Sequence, residues 1–428
     1  MISNISNPLK QQTTSYKVVV PFFIYAAIIF LLSTVLLFFS GSSFMMHYFN
    51  PHELALTHLF ALGWGTMIII GAGHQMIPVL TGGKLYSNNL AILTFVIIGT
   101  GIPLLTGGFY FFAFGTAMLS GAILVTTGIL FFTLNIFLTI SKGKENVHAV
   151  FLFTSSLWLL LTALLGLSLV INFIFPFLKT DSLIYLPVHA HMGIIGWFLM
   201  LVIGVASRLI PLFLISKYTS TKILWTIFFL LNIGLIGFIV DSLFFNSELR
   251  FKAYAILIIA GIILFAYYCY KAFRQRIRRS IDPQLKLSMV AVIMMFIPAL
   301  VMGLILLMTN QPGNDFRLFH LYGFAIFIGW ITAMILGMTF KTFPFIIWNK
   351  VYAGKSSKGS TPSPKDLFSG KLFQLMFVLY VSGFFLSGIA IYIKKLILIQ
   401  SGALFLIIAA LLYCINIFKI AFQKPKMI

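Results

Sequence analysis

The stretch from Gly63 to Pro78, GWGTMIIIGAGHQMIP, returns at Gly196–Pro211 as GWFLMLVIGVASRLIP and at Gly329–Pro344 as GWITAMILGMTFKTFP. In each copy seven residues separate Trp from Gly and seven more separate Gly from Pro. Trp64, Trp197 and Trp330 are 133 residues apart both times, and a lysine (Lys84, Lys217, Lys350) follows each Pro by six. A triple match of this kind is the mark of an internal repeat. Residues seven apart share a helix face, so Trp, Gly and Pro form one stripe. The small residue admits a neighbouring helix or a flat ligand close to the backbone. Helix packing is the simpler account of the Gly and Pro. Lys anchors each helix at the interface.

Around these copies lie apolar runs near 17–40, 52–81, 88–106, 109–140, 147–176, 184–215, 221–243, 250–273, 285–309, 316–348, 367–393 and 396–418. Of the 428 residues, 60% are apolar and 9% charged, too little charge to cover a soluble domain. The expected fold class is therefore an all-α integral membrane protein of about twelve transmembrane helices in a pseudo-threefold, three-by-four arrangement. It forms one polytopic domain, with repeats at about 17–140, 147–273 and 285–418. A Ser/Gly/Pro/Lys linker spans 349–366. The run from Lys17 to Ser40 is too long for a signal-peptide core and reads as a retained helix.

The net charge of +21 would suggest nucleic acid in a soluble protein, but its distribution gives a simpler account. The N-terminus, the tail and the loops after helices 2, 4, 6, 8 and 10 hold 21 of the 29 basic residues. The opposite loops hold six: Lys179, Arg250, Lys252, Arg317, Lys394 and Lys395. The positive-inside rule then places both termini in the cytoplasm, with a bacterial cytoplasmic membrane as the expected location. The expected partner is the lipid bilayer, and no nucleic acid. Cys269 and Cys414 lie in separate spans with no paired-Cys motif, which leaves disulfide, covalent haem and iron–sulfur chemistry without support.

Eight histidines occur. His47, His52 and His148 read as solvated residues near loops, and His74 as a satisfied polar group near the interface. His58, His189, His191 and His320 lie in the outer parts of helices 2, 6 and 10, the helices that carry the repeat. His58 and His191 are equivalent, each five residues before its Gly-Trp; His320 comes nine before. Imidazole in hydrocarbon is expensive and marks function, and it is the common ligand of haem iron and copper. A single such residue would be read as a cross-helix hydrogen bond. Four at one depth on three related helices are read as metal or haem ligands. His189 and His191 point about 200° apart and so can serve two sites.

At these residues the whole chain resembles the haem–copper oxidase superfamily, the catalytic subunit I of cytochrome c and quinol oxidases and the large subunit of nitric oxide reductases. The resemblance implies that His58 and His320 are axial ligands of a low-spin b haem. It also implies that His189 or His191 occupies the position of a copper ligand, and that Lys394 and Lys395 hold haem propionates. One or two b haems are expected, with copper lacking its usual ligand set. An electron-donor protein or quinol and accessory subunits are the partners so implied. The departures are as informative. Helix 7 has no histidine, helix 10 has one rather than two, no Tyr follows His189 or His191 by one turn, and no carboxylate lies in a midplane. Proton-pumping oxygen reduction is therefore not expected; electron transfer, or binding or reduction of NO or O2, is. The alternative is a transporter or a copper-handling factor on the same scaffold.

Overall fold

The computed structural model describes residues 14–144, 146–178, 182–277, 280–308, 316–352 and 361–424. Twelve helices among them are long and apolar enough to cross a membrane. They are α1 (Tyr16–Phe39), α2 (Pro51–Thr81), α3 (Asn88–Tyr110), α4 (Thr116–Ile140), α5 (Val147–Ile174) and α6 (Ser182–Leu214). After them come α7 (Thr221–Phe244), α8 (Glu248–Arg274), α9 (Pro283–Met308), α10 (Arg317–Tyr352), α11 (Gly370–Tyr392) and α12 (Leu396–Ala421). The protein is an all-α integral membrane protein.

Helix starts follow local chemistry. On the side of the basic loops, Ser15, Ser87, Asn146, Ser220 and Ser369 cap α1, α3, α5, α7 and α11, each accepting a backbone N–H. Asp282 opens α9 but turns its carboxylate to Lys341 of α10, which pairs a cation otherwise stranded near the end of a span. Asn135 of α4 and Asn416 of α12 each pin the cap of the preceding helix, through the backbone of Ser87 and Ser369.

Each four-helix unit has one plan. The first helix leans on the second (α1 on α2, α5 on α6, α9 on α10), and the third and fourth form a hairpin. The fourth helix of one unit then meets the first of the next. α4 packs closely on α5 and α12 closes on α1, whereas α8 touches α9 only sparsely. The three second helices, α2, α6 and α10, occupy the middle. Trp64 Nε1 donates to Thr332 Oγ1 at 3.0 Å and Trp197 Nε1 to Thr66 Oγ1 at 3.0 Å, tying α2 to α10 and α6 to α2.

The stripe glycines serve packing. A Cβ at Gly71 would lie 2.6 Å from Phe22, at Gly204 2.4 Å from Phe151, and at Gly337 2.4 Å from Ser288, each on the first helix of the same unit. One feature of the repeat was not legible in its motif: Leu59–Thr66, Met192–Leu199 and Ala325–Ile331 are π-helical, starting at positions again 133 apart. Such bulges re-aim the side chains around them. In α10 the bulge sharpens into a break at Gly329 (φ −81°, ψ −106°), and Tyr380 of α11 donates to the carbonyls of Ile328 and Gly329.

Three segments depart from expectation. The run expected at 109–140 is helical only from Thr116, because α3 runs on through Phe109 to Tyr110. α9 is interrupted at Met295, three residues before Pro298, which cannot supply an N–H to the turn it enters. α10 runs on to a buried Tyr352, so the start of the expected 349–366 linker is helical. Its part at 353–360 lies outside the described residues, and Pro364–Leu367 forms a 3-10 turn closed by a Ser363–Asp366 capping box.

Candidate functional site

His58 of α2 and His189 of α6 come together. Their ring centres are 6.3 Å apart with the planes 25° from parallel. His58 Nδ1 lies 2.7 Å from the Leu54 carbonyl, and His189 Nδ1 lies 3.1 Å from the Thr162 carbonyl on α5. A nitrogen facing a carbonyl oxygen must carry the hydrogen, so each ring keeps its lone pair on Nε2. The Nδ1 contacts are the only hydrogen bonds of the two rings among the described residues. Both rings border one cavity of about 200 Å³. Apolar side chains of α2 to α6 wall it, among them Leu105, Val125 and Phe173, with Thr126, Thr162 and Trp197. Phe109 stacks on His58 at 4.8 Å. Gly166 passes so close that a Cβ there would lie 2.8 Å from His189 Cε1.

His191 faces the other way, as residues two apart on a helix should. Its Nδ1 donates to the Pro187 carbonyl at 2.8 Å, and its Nε2 accepts from the Tyr322 hydroxyl of α10 at 3.2 Å. Its lone pair is thus already engaged. Tyr322 stands 133 residues after His189 and so takes its place in the third unit. The site therefore recurs around the molecule in altered form: His58 with His189 between α2 and α6, then His191 with Tyr322 between α6 and α10. At the third junction the equivalent residues are Phe324 and Leu56, both buried and apolar.

The expected pairing of His58 with His320 is absent. His320 is buried, with Nε2 3.0 Å from the Met46 carbonyl and Nδ1 2.7 Å from Glu53 Oε1. Glu53 is held in turn by Asn50 at 3.0 Å. With Nε2–H donating to a carbonyl, Nδ1 and Glu53 share a proton, and no lone pair remains for a metal. His320 locks the first turns of α10 to those of α2. Lys394 and Lys395 sit in the turn between α11 and α12, where Lys395 caps α12, and neither borders the His58–His189 cavity.

Two further histidines differ from expectation. His148 Nδ1 bonds the Gly204 carbonyl at 3.0 Å and Ser207 Oγ at 3.1 Å, linking α5 to α6 rather than facing solvent. His74 is fully buried between the rings of Phe22 and Phe132, and neither of its nitrogens is partnered among the described residues. Histidines 47 and 52 are exposed in or beside the segment joining α1 to α2, as expected of solvated residues.

Among the described residues no group of three or more His, Cys, Asp or Glu could hold a metal ion. The pair His58–His189 offers at most two ligand nitrogens. Glu53, Tyr322, Thr162 and Gly166 were the participants that sequence reasoning missed. Only Tyr322 carried a signal, its 133-residue spacing from His189. No protein-family model matches the chain, and no curated protein matches it.

Proposed function

We propose that this chain is a haem-binding membrane protein with His58 and His189 as the two axial ligands, serving electron transfer. The observation that carries this reading is the pair of unpartnered Nε2 atoms at one apolar cavity, each ring oriented by its Nδ1–H. Anchoring one ring nitrogen on a carbonyl is how proteins orient ligating imidazoles. Two imidazoles sharing one metal at nitrogen distances of about 2 Å have ring centres roughly 6 Å apart, close to the 6.3 Å found. A bare divalent ion needs three or four protein ligands, whereas a haem brings four of its own and asks the protein for two.

When bound, haem supplies a one-electron couple. The chain contributes the rest: His58 and His189 would hold the iron, the apolar walls exclude water, and the Leu54 and Thr162 carbonyls fix the tautomers. If His58 and His189 both held the iron, the chain would leave no place on it for a gas, which favours electron transfer over NO or O2 binding. By the charge bias, the site lies toward the outer half of a bacterial cytoplasmic membrane, within reach of an electron donor on that side.

A cavity of about 200 Å³ is below the roughly 300–1,000 Å³ of most ligand pockets, and its lining as it stands does not enclose a whole macrocycle. The small volume favours a second reading, one Cu(I) ion shared by the same two nitrogens.

Optical spectra of purified protein, oxidised and then dithionite-reduced, test the proposal. The expected result is a Soret band with sharp reduced α and β bands, lost in His58→Ala and His189→Ala and kept in His320→Ala. A featureless spectrum from cells supplied with haem would overturn it, and metal analysis of the same sample would then test copper.

A further inference from the structure

A second cavity, of about 110 Å³, lies among α2, α6 and α10 on the side of the molecule that carries the basic loops. Its lining has an order that the repeat explains. Ile68, Leu201 and Met334 border it; so do Ala72, Val205 and Met338, and so do Met76, Leu209 and Thr342. Each set is spaced by 133 residues, which places the cavity on the pseudo-threefold axis.

Two symmetry-related positions on that axis carry methionine only in α10. Met334 and Met338 are four residues apart, on one helix face and about 6 Å apart along it. Met76 of α2 is level with Thr342, one turn further toward the basic side. Three thioethers therefore border the axis at three successive turns. Beside them, the buried Oε1 of Gln75 has no hydrogen-bond partner. The hydroxyls of Thr339 and Thr342 are already engaged, with Tyr413 and the Met338 carbonyl. No carboxylate borders the cavity among the described residues, which disfavours a calcium- or magnesium-like ion. Thioethers select soft monovalent metal ions, and an uncharged cavity admits one charge far more readily than two. We propose that the axial cavity binds Cu(I), held by Met334 and Met338, with Met76 the next ligand along the axis. This site shares no residue with the His58–His189 pair and does not depend on a haem there.

The test uses full-length protein carrying His58→Ala and His189→Ala, so that any copper retained lies elsewhere. Under anaerobic reducing conditions it is loaded with Cu(I) and titrated with a Cu(I) chelator. Ag(I) serves as a redox-inert check. Met334→Leu with Met338→Leu keeps the volume of the axis. The expected result is retention that falls at least ten-fold in the Leu variant, with sulfur neighbours in the copper X-ray absorption spectrum. No retained Cu(I) in the protein lacking His58 and His189 would overturn the proposal. So would equal retention in the Leu variant, or a coordination shell without sulfur.

Discussion

At the scale of single residues, what decides a histidine's role is the partner of its second nitrogen. His58 and His189 each spend Nδ1 on a carbonyl and keep Nε2; His191 spends both nitrogens, and so does His320. Two tests follow from this. Gly166→Leu places a side chain where His189 now sits, since even a Cβ would approach within 2.8 Å. The expected outcome is loss of the His189-dependent absorbance with helix content unchanged by circular dichroism. Tyr322→His restores at the α6–α10 junction the residue pair found between α2 and α6. The expected outcome is a doubling of the cofactor-to-protein ratio, and an unchanged ratio would show that the two junctions differ in more than this residue. The candidate histidines were legible because they share a depth on repeated helices. Their pairing was not, because Glu53 reaches His320 across 267 positions of chain.

At the scale of elements, the three central helices hold one another through tryptophan. Trp64 reaches Thr332 and Trp197 reaches Thr66, but the equivalent acceptor for Trp330 is Leu199, which has no hydroxyl. Thr332→Val should therefore cost about 1 kcal/mol, read as a lower unfolding temperature in detergent. Leu199→Thr should raise it by offering Trp330 the missing acceptor. The break at Gly329 makes its own demand. Tyr380→Phe leaves the Ile328 and Gly329 carbonyls unpaired in a buried setting, at about 1–3 kcal/mol. The Trp-Gly-Pro stripe told which faces pack, since its glycines do meet α1, α5 and α9. It did not reveal the π-turns. They recur at the same register in all three units, but a π-turn leaves no mark in residue spacing along one helix.

At the scale of the whole molecule, the ring of units is closed tightly at α4–α5 and α12–α1 and loosely at α8–α9. The loop joining α8 to α9 is held instead to the end of α6, where Ile277 donates to the Ile215 carbonyl at 3.1 Å. A chain cut in that loop should be tolerated, because α12 still closes on α1 and α10 still meets α2. Co-expressed halves are expected to co-purify on a single tag, and separation of the halves would show that the α8–α9 contact matters more than its extent indicates. The sequence by itself determined the membrane class, the twelve spans, the threefold repeat and the helices that bear histidine. Composition and periodicity are local properties, and the bilayer leaves apolar segments of that length no other regular fold. Only the tertiary structure decided that His58 meets His189 and not His320, and that three thioethers border a cavity on the axis. Those outcomes depend on the rotation of each helix about its own axis, which is set by packing against neighbours distant in the chain.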